Sequence, residues 1–142
     1  MPERPARIAI GYPDEVAGRG ELPNQVARLV SRALRDAKEA GLGRADVAAR
    51  LSRELGRKVT ESILEGWASE ADVAHRIPFD AFAALVKVTG AVDLLGFMPG
   101  LSDFVVVPRR YMAVIELHLL EEFERALADH KAKLQADVRA LR

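Results

Sequence analysis

The chain has 142 residues, 49% of them apolar and 30% charged, which is enough for one ordinary helix-rich domain and an appendage. It contains no cysteine, which excludes disulfides, thiolate nucleophiles and cysteine-based zinc sites. Its 21 basic residues are balanced by 21 acidic ones. Affinity for a polyanion therefore has to come from a local patch, or from two such patches in a dimer, and not from an overall basic excess.

Residues 1–23 are punctuated by Pro2, Pro5, Pro13 and Pro23 with Gly11, Gly18 and Gly20, a pattern that opposes a long helix and predicts an arm. Arg4 and Arg7 are the arm's candidates for a minor-groove contact. The alternation Ile8 to Tyr12 can add one strand or dock on a core. Asn24 is a good N-cap for a first helix, in which Val26, Leu29, Val30, Ala33, Leu34 and Ala37 form a buried stripe. Arg28, Arg32, Arg35 and Lys38 fall on its polar side, and Gly41 and Gly43 end it.

A second helix is predicted over 44–55, with Val47, Ala48, Leu51 and Leu55 inward and Gly56 as its stop. A third starts near Thr60, whose hydroxyl can cap it, with Ile63, Leu64 and Trp67 inward. The two helices and their turn have the shape of a helix-turn-helix, with Ala48 as the small residue where the helices touch. Pro78 suits the first turn of a fourth helix running to Val88, whose apolar residues, Phe79 among them, place it well inside. Gly90 closes it, and a short fifth helix from Ala91 to Met98 precedes Pro99-Gly100. The run Phe104 to Val107 reads as an edge strand, a partner for Ile8 to Tyr12 or for a second chain.

From Arg109 to Arg142 there is neither glycine nor proline, so one long helix is predicted. Leu120, Phe123, Leu127, His130, Leu134 and Leu141 recur at heptad-like spacing, with Asp137 interrupting and Val138 standing beside it. Its length, well beyond the ordinary ~11–12 residues, favours packing against another copy.

The order of the five helices over residues 25–98 resembles the phage lambda repressor-like helix-turn-helix fold. A closer likeness is to small helix-turn-helix proteins of Mu-like phages and prophages. It is carried by GRKVTESILEGWASEADVAHRIPFDAFAALVKVTG: a Gly-Arg turn, Val-Thr, a tryptophan ending the third helix, His-Arg-Ile-Pro, and a later Thr-Gly. The resemblance implies a phage-type DNA-binding transcriptional regulator. One departure is the connection from Leu51 to Val59, which is longer than the tight turn of the short motif.

The expected architecture is thus all-α: a five-helix lambda repressor-like helix-turn-helix domain plus a long C-terminal oligomerisation helix. The expected divisions are an N-terminal arm at 1–23, the helix-turn-helix domain at 24–98, a linker or short edge strand at 99–108, and the long helix at 109–142. The third helix is the candidate reading helix. Arg57 and Lys58 are candidates for phosphate, and Thr60 and Ser62 for phosphate or base edges. Ser62 and Glu65 can read bases, Ser69 extends the polar face, and Arg76, beside His75, can reach the DNA backbone. Glu61 fits complementing the helix dipole better than a base contact. Trp67, at the spacing of Ile63 and Leu64, belongs to the core. The self-association set is Leu120, Phe123, Leu127, His130, Leu134, Val138 and Leu141.

His75, His118 and His130 are widely separated, and no phosphate loop, nucleophile elbow or dinucleotide turn occurs. Neither catalysis nor a cofactor nor a metal is expected. Apolar runs are far short of the ~20 residues that span a bilayer, and no secretory signal opens the chain, so a cytoplasmic location is the simple reading. The expected partners are double-stranded DNA and a further copy of the chain, with no membrane and no small-molecule substrate. The neutral charge, together with Glu61 and Glu65, supports the alternative of a non-DNA-binding interaction or assembly protein that uses the same scaffold to hold a protein partner.

Overall fold

Helices carry the whole architecture of the computed structural model, which describes residues 7–141. In chain order they are α1 (Asp14–Ala17), α2 (Leu22–Glu39), α3 (Arg44–Leu55), α4 (Glu61–Trp67), α5 (Phe79–Thr89), α6 (Phe97–Gly100) and α7 (Met112–Ala140). Two 3-10 segments, Val92–Gly96 and Arg109–Tyr111, join them. No strand occurs among the described residues; the expected pairing of the two β-branched runs reduces to one antiparallel bridge, Ile10 with Val106. The contacts divide the chain into two compact units, Met1–Val106 and Val107–Arg142.

In the first unit α2 begins at Leu22, ahead of the expected Asn24. Pro23 tolerates the first turn, where no N–H is needed, so Glu21 takes the capping position and Asn24 lies inside the helix. Its buried face is Ala27, Leu29, Val30, Ala33, Leu34 and Ala37, with Val26 at the margin. α3 keeps the predicted span and buries Val47, Ala48 and Leu51. Gly56, at φ 66 and ψ 23, ends it in the left-handed conformation that a side chain would disfavour.

The turn that follows is held by Ser52. Its hydroxyl donates to the Ala48 carbonyl at 2.8 Å and accepts from the Val59 N–H at 2.8 Å. Thr60 caps α4 as predicted, its side-chain oxygen accepting from Ile63 N–H at 3.2 Å. Leu64, Gly66 and Trp67 turn inward. Gly66 makes room for the loop that folds back on the helix: a Cβ would lie 3.0 Å from Asp72 Oδ2 and 3.2 Å from His75 Cβ, so those side chains would have to give way.

Two expectations for the fourth helix are corrected. Pro78 occupies the capping position ahead of α5, outside its first turn, and Phe79 is 73% exposed, not inside. The inward stripe is set by Ala81, Ala84 and Leu85, and a residue two before Ala81 points to the opposite face. The expected fifth helix is split between the 3-10 segment and α6. Pro99 lies within α6, where a first-turn position needs no donor. Leu34, Leu51, Leu64, Leu85, Leu94, Val30 and Val47 are the fully buried centre shared by α2 to α5 and the 3-10 segment.

The segment expected to be an arm is docked over its described part. Ile10 N–H donates to the Val106 carbonyl at 2.7 Å and Gly11 N–H to Asp93 Oδ1 at 3.1 Å. Arg28 donates to the carbonyls of Ala17 and Arg19 at 2.6 and 2.8 Å and pairs with Glu70 at 2.7 Å. The Arg32 guanidinium stands 5.6 Å from the centre of the Tyr12 ring. Burial and the carboxylates of Asp36 and Asp93 push the Tyr12 hydroxyl up from its ordinary value. Arg7 is exposed; Arg4 lies outside the described residues. The short helix α1, opened by Pro13 with Asp14 and Glu15 in its first turn, was not predicted.

The second unit consists of the Arg109–Tyr111 turn and the 29 residues of α7, none of which is buried. No helix among the described residues is long and apolar enough to cross a membrane.

Candidate nucleic-acid interface

The leading end of α4 stands in solvent. Glu61, Ser62 and Glu65 are exposed on the helix, and Arg57 and Lys58 are exposed in the turn before it. Thr60 is half-buried; its oxygen lone pair serves the cap, which leaves the hydroxyl hydrogen to donate. The fold thus gathers Arg57, Lys58, Thr60, Ser62 and Glu65 at one end of α4.

Arg57 is occupied. Its guanidinium grips Asp80, in the first turn of α5, through two parallel hydrogen bonds of 2.7 and 3.1 Å. The hydrogen bond from Arg57 is the largest cause holding the Asp80 carboxyl below its ordinary value of 3.8, with a further contribution from the Ala81 N–H. A lowered carboxyl stabilises the folded state above its unfolded value. The pair is therefore intact at neutral pH and is lost as pH falls below 3.8 through the lowered value. Lys58, by contrast, makes no ion pair among the described residues. Arg44 lies 4.0 Å from Glu65. Around the end of α4, three cations (Arg44, Arg57 and Lys58) face three carboxylates (Glu61, Glu65 and Asp80).

Ser69 and Arg76 sit elsewhere. Ser69 falls beyond the end of α4 and is half-buried, so it does not extend the helix's polar face. Arg76 is turned inward: it donates to the Ser69 and Glu70 carbonyls at 3.4 Å each and to Asn24 Oδ1 at 3.3 Å. That network closes the chain after α4 and ties it to α2. His75 Nδ1 lies 2.8 Å from Asp72 Oδ1, a contact within the loop. Trp67 is 7% exposed and belongs to the core.

Sequence reasoning missed Asp80 as the partner of Arg57 and Asn24 as a partner of Arg76. Both pairs join residues far apart in the chain, and no local pattern signals them. On α7, His118 Nε2 and Glu122 Oε1 are 3.2 Å apart, an exposed pair one helical turn apart. No group of His, Asp and Glu among the described residues is arranged to hold a metal ion. No protein-family model matches the chain, and neither does any curated protein or solved structure.

Proposed function

We propose that the chain is a sequence-specific DNA-binding regulator of phage or prophage type, acting as an oligomer, in which α3, the turn and α4 form a lambda repressor-like helix-turn-helix. The observation that carries this reading is the solvent-exposed front of α4, a helix whose first turn presents Thr60 and Ser62 with the unpaired Lys58 beside them. A helix end of this kind directs N–H groups and a positive dipole end outward, which suits phosphate. Lys58 takes a phosphate, Ser62 and Thr60 take phosphate or a base edge, and Glu65 is restricted to a cytosine amino group. The reading assigns no reaction, cofactor or metal to the chain, and it places the protein with DNA in the cytoplasm.

Binding to a random-sequence duplex, followed by fluorescence anisotropy across a salt series, tests it. The expected result is an affinity that falls steeply with salt, by a slope of about 0.9 per phosphate neutralised. Lys58→Glu is expected to abolish retention at moderate salt. Asp80→Asn is expected to act in the opposite direction: it releases Arg57 and removes a charge from the face, which raises affinity and steepens the slope by about one phosphate contact. Absent or salt-independent binding at low salt, or no response to Lys58→Glu, sinks the assignment.

A second reading has specific support. The Arg57–Asp80 grip and the exposed Glu61 and Glu65 leave the face electrically balanced, which favours a protein partner over a polyanion. Flat binding in the salt series selects it.

A further inference from the structure

We infer that two copies of α7 pair antiparallel, with the acidic half of each helix against the basic half of the other. This rests on the proposed self-association of the chain and is independent of DNA binding. The helix is 29 residues long, about 43 Å at the standard rise. Leu120, Phe123, Leu127, Leu134 and Val138, which recur on one face of the helix at steps of three, four, seven and four, are each 50–59% exposed. An uncovered apolar row of that length is an association surface.

The charge along the helix chooses the occupant. From Glu116 to Asp129, five carboxylates (Glu116, Glu121, Glu122, Glu124 and Asp129) are opposed by Arg125 alone. Beyond His130 the sign reverses, with Lys131, Lys133 and Arg139 against Asp137. A partner of one sign satisfies only one half. A second copy running the other way satisfies both, and it also opposes the two helix dipoles.

The seam residues point the same way. In a parallel, in-register pair, Asp137 meets Asp137 of the other copy at the interface, and Glu124 has no opposite charge across the seam. In the antiparallel pair, Leu127 lies level with His130, Leu134 with Phe123, and Leu120 with Asp137 and Val138. Glu124 then comes opposite Lys131, twice over by two-fold symmetry. The antiparallel arrangement thus removes the Asp137–Asp137 contact and gains two attractive pairs.

The full-length chain provides the test, by sedimentation equilibrium at low salt. Glu124→Lys and Lys131→Glu are each expected to weaken the dimer by about tenfold, since each creates two repulsive pairs, and the double exchange is expected to restore it. Orientation is read separately. The chain has no cysteine of its own, so Asp137→Cys reports only its own neighbourhood; oxidation is expected to give no disulfide-linked dimer, because the two sulfurs are about 25 Å apart along the antiparallel pair. Ready formation of that disulfide, or additive effects in the double exchange, overturns the antiparallel arrangement while leaving self-association in place. A monomer at all concentrations overturns both, and the salt series on DNA stands apart from either result.

Discussion

Leu64→Ala is expected to lower the free energy of unfolding by about 2–5 kcal/mol. Leu64 is fully buried at the centre of the first unit, where α4 meets α2 and α3. α4 has only seven residues, far too few to hold a helix in water without tertiary support. Its attachment rests on Leu64 and Trp67, and truncation of Leu64 leaves a cavity in the shared core that the surrounding side chains fill only in part. Against a total stability of about 5–15 kcal/mol for an ordinary domain, this is a large share. Urea denaturation measures it as a lowered midpoint with an unchanged slope. A loss under about 1 kcal/mol would mean that α4 is not anchored as described.

Gly96→Ala is expected to cost about 1–3 kcal/mol, the range for forcing a methyl group into filled space. Gly96 has an ordinary helical backbone, φ −78 and ψ −14, so the requirement for glycine is steric, not conformational. A Cβ there collides with the Ile10 carbonyl oxygen and lies 2.8 Å from Gly11 Cα and 3.1 Å from the Ile10 carbonyl carbon. These are main-chain atoms, which cannot swing aside as a side-chain tip does. The added methyl expels the segment around Ile10, breaking the bridge to Val106 and the Gly11–Asp93 hydrogen bond. The expected signature is a fall of several degrees in Tm together with rapid amide exchange at Ile10 and Gly11. Protection at Ile10 that survives the substitution would contradict the close approach.

How far these features could be read from the sequence depends on their range. The limits of α3, the Thr60 cap and the inward set Val47, Ala48, Leu51 and Leu64 follow from periodicity and end signals within a few residues, so they were legible. The long helix was legible for the same reason, since nothing from Arg109 onward interrupts it. The hydrophobicity of Phe79 predicts burial, but Ala81 and Ala84 fix which face of α5 turns in, and Phe79 lies on the other. The docking of residues 10–12 rests on a glycine 85 positions beyond Gly11, which no local pattern announces. At the candidate interface the exposure of Ser62 and Glu65 followed from their places on the helix, and that of Lys58 from its place in the turn. The commitments of Arg57 to Asp80 and of Arg76 to Ser69, Glu70 and Asn24 did not, because an arginine's reach exceeds any spacing rule.

The Ser52 hydroxyl that bridges Ala48 and Val59 has a consequence for how anything meets this surface. A connection stapled to its own preceding helix does not hinge, so the two helices travel as one body. Recognition by such a body involves no coil-to-helix transition and little loss of chain freedom at this point. Its calorimetric trace would carry a heat-capacity change sized to the touching area alone, without the large excess that accompanies folding upon binding.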